Sequence, residues 1–205
     1  MVQILSVLAS FLLLGVVGSY MWHVVRNGAT PNPTMFFVRS VVAVMNTISY
    51  FSVVYNDPFK WLVNEWLITA VSAGALVLVF LYSLFCGKFT KMRGVDTVCL
   101  VLAILVGIVW KITNGVVANL LLQGVMVLAF VPAAIGVYHN KAKEKPMPWA
   151  LAVASYVLMT ATILIGWQGN WEALVHPLAS GIGGNGALMV LAVRQHDWKW
   201  SSLVR

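Results

Sequence analysis

Two asparagines stand deep inside long apolar runs of this chain, Asn46 within 35–55 and Asn185 within 171–193. An amide left without a partner in hydrocarbon costs a few kcal/mol, so each needs a hydrogen-bonding neighbour. Asn46 lies about 11 residues, or roughly 16 Å of helix, into its run. Asn185 lies about 14 residues into its own. At such depths a side-chain amide can bond a polar solute, or it can bond an adjacent helix as structural glue. Tyr50, one turn beyond Asn46, and Tyr156 offer rings and hydroxyls to the same region; aromatic residues at helical spacing also serve as packing. Gln123 follows Asn119 by four residues and shares a helix face with it, either lining a pathway or bonding between helices.

Three titratable groups could carry a proton. Glu65 stands near one end of an apolar run, and Glu172 and His176 are four apart on another. A carboxylate and an imidazole near a membrane boundary respond to access and to each other, which is the chemistry of proton coupling. The alternative is a solvated rim in which Glu65 and Glu172 pair with Lys60 or Lys111. Downstream of Pro177 the chain reads Ser180-Gly181-Ile182-Gly183-Gly184-Asn185-Gly186. Glycines permit close helix packing or local unwinding, so Gly183 and Gly184, with Pro132 in an earlier run, are the hinge candidates. The run does not match a phosphate loop, which needs a GK[ST] sequence.

Enzyme chemistry finds no support. No two of the four histidines, His23, His139, His176 and His196, stand at metal-ligand spacing with a carboxylate partner. No nucleophile elbow and no HExxH sequence is present. Neither a catalytic residue, nor a metal, nor a cofactor is expected. A retinal photoreceptor needs a lysine in its last span, and 171–193 has none.

The elements that must position these residues follow from hydropathy. Of 205 residues 60% are hydrophobic and 9% charged, which excludes an ordinary soluble domain. Seven apolar stretches can be drawn, at 3–22, 35–55, 62–86, 95–112, 115–138, 148–168 and 171–193. Each is long enough to cross a hydrocarbon layer of about 30 Å as a helix. With the N-terminus outside, the inner segments hold Arg26, Lys88, Lys91, Arg93, Lys141, Lys143, Lys145, Arg194, Lys199 and Arg205. Arg39 is expected near the same surface. Of the 13 basic residues only Lys60 and Lys111 then lie outside, and an even number of spans would scramble the partition. The C-terminus is expected in the cytoplasm, and the chain as a multi-pass protein of a bacterial inner membrane or plasma membrane.

The net charge of +7 is divided among short clusters beside the spans, which suits anionic lipid headgroups better than nucleic acid. The first run has no basic region before it, so it is expected as a retained helix rather than a cleaved signal. Cys86 and Cys99 fall near the reducing face and are expected as free thiols. Nine tryptophans are expected mostly in interfacial belts, with Trp22, Trp149, Trp198 and Trp200 inside.

The chain also repeats itself. Arg26-Asn27-Gly28-Ala29 followed by Pro33-Thr34-Met35-Phe36 returns, 113 residues later, as His139-Asn140-Lys141-Ala142 followed by Pro146-Met147-Pro148-Trp149. Gly74-Ala75-Leu76-Val77 returns after 112 as Gly186-Ala187-Leu188-Met189. These offsets divide the chain into 1–88, a linker helix in 89–114, and 115–205. A single linker helix between odd-numbered units makes both halves run the same way, a parallel repeat.

This pattern resembles the SWEET and PQ-loop superfamily, which includes the nicotinamide riboside carriers. The resemblance rests on Val131-Pro132-Ala133-Ala134 leading to Tyr138-His139-Asn140-Lys141 and Glu144-Lys145-Pro146. It rests also on Gly18-Ser19-Tyr20 leading to Thr30-Pro31-Asn32-Pro33. Ala133 stands where the family pair has glutamine, and Ser19-Tyr20 occupy that place in the first half. The resemblance implies an all-α membrane fold of two parallel three-helix bundles and a linker helix (3+1+3), N-terminus outside and C-terminus cytoplasmic. It further implies a polar pocket lined from the third helix of each bundle, a proline hinge, and frequent assembly into homo-oligomers.

The function expected is a facilitator that passes a small neutral or weakly charged polar solute by alternating access between two bundles. Its expected substrate-binding residues are Asn46, Tyr50, Gln123, Tyr156 and Asn185; its partners are that solute and the lipid bilayer. The rival is a non-transporting membrane adaptor or sensor that holds a partner or anionic lipid through its basic cytoplasmic loops.

Overall fold

In a computed structural model, residues 2–54, 65–112, 115–167, 169 and 171–196 are described, and among them every regular element is a helix. These are α1 (Val2–Val25), α2 (Pro33–Val54), α3 (Glu65–Phe85), α4 (Gly94–Ile112), α5 (Gly115–Tyr138) and α6 (Pro146–Ile165). A last rod follows, made of α7 (Glu172–Val175), a π-helical stretch (His176–Gly184) and α8 (Asn185–Gln195). Four stretches are long and apolar enough to cross a membrane: Ile4–Val25, Leu120–Tyr138, Pro146–Ile165 and Ala173–Gln195. The described apolar parts of the other three helices, Pro33–Met45, Ala70–Phe85 and Gly94–Val109, are shorter.

Outward faces are as oily as the interior. On α1 the exposed stripe is Ile4, Leu8, Phe11, Leu14, Trp22 and Val25; on α2 it is Phe37, Val41 and Val44. Helices apolar on every side belong in lipid, because water would penalise such stripes heavily. Prolines start α2 and α6, where the missing N–H and fixed φ suit the first helical turn.

Helix neighbours follow a simple scheme. In the first half α3 packs against both α1 and α2; in the second, the last rod packs against both α5 and α6. Across the halves α1 packs on α6 and α2 on α5, while α4 lies against α5 and α2. The α1–α6 contact is the closest, seated on Ala9, Ala152 and Ser155, whose hydroxyl donates to the Ala9 carbonyl at 2.9 Å. Small residues with one interhelical hydrogen bond are how helices approach in lipid.

The two repeated turns have one backbone. Asn27 and Asn140 both take positive φ, at 57° and 54°. The N–H groups of Gly28 and Ala29 donate to the His23 carbonyl, and those of Lys141 and Ala142 to the Gly136 carbonyl. These left-handed caps collect helix-end carbonyls, and asparagine tolerates that conformation better than most residues. The turns also bond each other. Thr30 N–H donates to the Lys143 carbonyl at 2.8 Å, and Lys143 N–H to Thr30 Oγ1 at 2.7 Å. Thr30 and Lys143 are themselves 113 residues apart. In the first half Asn32 Oδ1 accepts from Met35 N–H at 2.8 Å, and Asn32 Nδ2 donates to buried Asp96 at 2.7 Å, fastening the start of α4.

Candidate functional site

The last rod would clash with its neighbours if it carried ordinary side chains. A Cβ on Gly181 would come 2.5 Å from the Tyr156 ring, and one on Gly184 would overlap the Phe130 ring. Glycine is needed at both positions because aromatic rings from α6 and α5 rest directly on the backbone. The π-helical stretch opens carbonyls that a regular helix would bond, and Asn185 answers them. Its Nδ2 donates to the carbonyls of Gly181 at 2.6 Å and Ser180 at 3.2 Å.

Between α1, α2, α3, α6 and the last rod lies a cavity of about 50 Å³, room for a few water molecules. Its walls are mostly aliphatic and aromatic, including Leu13, Phe36, Leu76 and Trp149. Its polar groups are Tyr20, Arg39, Ser72, Tyr156 and Asn185. Among the described residues Arg39 is the sole cationic residue lining it, and no carboxylate lines it. It sits six residues into α2, about 9 Å along the helix. Only 5% of Arg39 is exposed, so this side chain leaves the inner surface expected for it and turns into the protein. The reason is its helix face: Phe37, Val41 and Val44 take the outer side, and Phe36, Arg39 and Ala43 take the inner one. Its guanidinium carbon lies 4.3 Å from the Phe130 ring centroid, and its Nε is buried with no hydrogen-bond partner.

Two of the lining residues, Tyr20 and Trp149, are bonded to Glu144, in the turn between α5 and α6. The carboxylate accepts from Tyr20 Oη at 2.9 Å and from Trp149 Nε1 at 3.1 Å, and only 3% of the residue is exposed. Burial pushes the Glu144 carboxyl up to about 8, against the two hydrogen bonds, which favour the ionised form. Gln195 pins this turn. Its Nε2 donates to the carbonyls of Ala142 at 2.7 Å and Val137 at 3.0 Å, and its Oε1 accepts from Glu144 N–H at 3.2 Å. Trp149 is therefore not the interfacial residue its position along the chain suggests; the carboxylate keeps its indole inside. Trp22, Trp167 and Trp171 are exposed, as a belt requires.

Asn185 and Tyr156 line the cavity together. Gln123 does not; its Oε1 lies 2.8 Å from His176 Nδ1, which also meets Ser180 Oγ at 3.0 Å. Tyr156 links the two places, its ring edge-on to His176 with centroids 5.5 Å apart. Pro132 sits inside an unbroken α5. Gly183 is exposed, whereas Gly184 is the seat of Phe130. The side chains of Asn46, Tyr50, Asn119, Glu65 and Glu172 lie outside the described residues. Arg39 and Glu144 are the functional groups that sequence reasoning missed. For Arg39 the available signal was its helical register with Phe36 and Ala43. Nothing local in the sequence marks Glu144 as buried. No family model, no curated protein and no solved structure matches the chain.

Proposed function

We propose that this chain is a facilitator of a small polar solute, a distant relative of the SWEET and PQ-loop superfamily. Seven spans would form two parallel three-helix bundles joined by α4, with the N-terminus outside and the C-terminus cytoplasmic. Alternating access would come from rocking of the bundles about the cavity that holds Arg39, Tyr156 and Asn185. The observation that carries this reading is a cavity between helices whose outer faces are apolar, with Tyr20, Arg39, Tyr156 and Asn185 set among its mostly apolar walls. Proteins do not bury a guanidinium in lipid-facing bundles without use for it, since the desolvation cost is several kcal/mol.

The neighbour scheme supports the two-bundle reading. With α4 left aside, exchanging α1 with α5, α2 with α6 and α3 with the last rod turns the set of helix contacts into itself. A twofold axis along the membrane normal has that property. It would pass near Thr30 and Lys143, equivalent residues that bond each other.

Vesicles containing the purified chain test the proposal by uptake of small neutral and singly charged solutes. Uptake by the wild type that Asn185→Leu lacks is the expected result. No uptake of any solute, with tight retention of a protein partner or anionic lipid, would leave the adaptor reading instead.

A further inference from the structure

Arg39 has no counterion among the described residues. Among the described residues no carboxylate lines its cavity and none forms an ion pair with it. Phe130 offers its ring face, but a cation–π contact returns less than desolvating a charge costs. The Nε donor is buried with no hydrogen-bond partner. The shape and sign of the missing partner are therefore constrained. A guanidinium matches a planar carboxylate through two parallel hydrogen bonds.

We propose that the solute bound in this cavity is a small monocarboxylate, its carboxylate held by Arg39 and its short apolar remainder by Leu13, Phe36 and Leu76. The inference rests on the transport reading for its setting and refines it: the solute carries one negative charge. One charge follows from the count of cations. Among the described residues no lysine, histidine or second arginine lines the cavity, so a phosphate dianion would leave an uncompensated charge among apolar walls. Small size follows from the volume of about 50 Å³. Glu144, the described carboxyl bonded to lining residues, does not compete. It is held by Tyr20 and Trp149, and burial keeps it protonated at neutral pH.

Thermal unfolding of the purified full chain in zwitterionic detergent at pH 7 tests this directly. Lactate is the probe, lactamide its neutral isostere, and inorganic phosphate and chloride are the other anions. Lactate should raise the Tm with concentration, because a ligand that binds only the folded state stabilises it. Lactamide, phosphate and chloride should not. Arg39→Gln should weaken the lactate response roughly ten- to hundredfold, the usual worth of hydrogen bonds to a charged group. Arg39→Lys, which keeps the charge and loses the planar fork, should fall between. An equal response to lactamide, a larger response to phosphate, or an undiminished response in Arg39→Gln overturns the proposal. Should Arg39→Gln not fold, the wild-type contrast between lactate and lactamide decides alone.

Labelled lactate uptake into vesicles, run beside the binding assay, separates the two readings. Binding without uptake keeps the carboxylate site and removes the transporter. Uptake of neutral solutes that neither lactate nor Arg39→Gln affects keeps the transporter and removes the carboxylate site.

Discussion

The turn before α2 and the turn before α6 have the same backbone and opposite chemistry. Both reverse the chain through an asparagine at positive φ and both cap the preceding helix with two N–H groups on one carbonyl. Yet several polar groups at or beside the cavity have blander counterparts. At the offset of 113, Arg39 corresponds to Ala152, Glu144 to Pro31, Tyr20 to Ala133, Tyr156 to Ala43 and Trp149 to Phe36. Asn185, at the offset of 112, corresponds to Ala73. The two turns share a backbone, while Arg39 comes from α2 and Glu144 from the turn before α6.

The sharpest test of that asymmetry is Trp149, the larger partner of the Trp149–Phe36 pair. Both are buried at 3% exposure, so truncating either to alanine should cost roughly 3–5 kcal/mol in cavity formation. Only Trp149 also donates to Glu144. Trp149→Phe, which keeps most of the volume, should still cost about 1–3 kcal/mol for the lost partner of a buried carboxyl. Thermal unfolding of the purified chain measures both, and a neutral Trp149→Phe would show that the hydrogen bond is idle.

Glu144 gives the next effect, read as a pH dependence. Its ordinary carboxyl value is 4.5, and in the fold burial raises it to about 8. Between those values the unfolded chain has lost the proton that the folded chain keeps. Stability from this group is complete below about pH 4.5 and falls as pH rises to about 8. Each pH unit crossed in that window removes about 1.4 kcal/mol, so the decline amounts to a few kcal/mol. Glu144→Gln should flatten the profile across that window, and Pro31, its counterpart, has no such slope to lose. An unchanged profile in Glu144→Gln would mean that the carboxyl ionises freely.

Much of the scaffold was legible in the sequence. Apolar length marks each helix to within a few residues. The 113-residue offset was legible because asparagine and proline act locally, through φ and through the missing N–H. The site was less so. Asn185 and Tyr156 are found by asking which polar groups sit deep in apolar runs. Arg39 escapes because counting charges by distance from a span end ignores which face of the helix a side chain occupies. Glu144 and Trp149 escape because their burial depends on Tyr20, more than a hundred residues away. Depth alone groups Gln123 with the cavity, and its helix face sends it to His176 instead.

The caps of α2 and α6 extend the comparison. Asn32 and Lys145 occupy equivalent places before the two helices. Asn32 caps α2 and satisfies Asp96, which is 1% exposed; Lys145 makes no side-chain cap at all. Asn32→Ala should cost about 1–3 kcal/mol, through the lost cap and a buried carboxylate short of a donor. Lys145→Ala should stay within about 0.5 kcal/mol. Equal effects at the two positions would mean that Asp96 draws nothing from Asn32.

The smallest expected effect is where the halves should agree. Asn27→Ala and Asn140→Ala each force a β-carbon side chain without asparagine's tolerance into the left-handed region, at a cost of about 1 kcal/mol. Each also removes a side-chain oxygen that receives a hydrogen bond, from Lys88 Nζ at Asn27 and from Gln195 Nε2 at Asn140. Asn→Gly at either position relieves the backbone and leaves only the lost side-chain bond. If the two turns are one device used twice, the alanine variants should lose equal stability within about 0.5 kcal/mol, and glycine should restore most of it in both. A loss confined to one turn would show that the other is held by its surroundings rather than by its own cap, and the likeness of the two halves would then stop at the path of the chain.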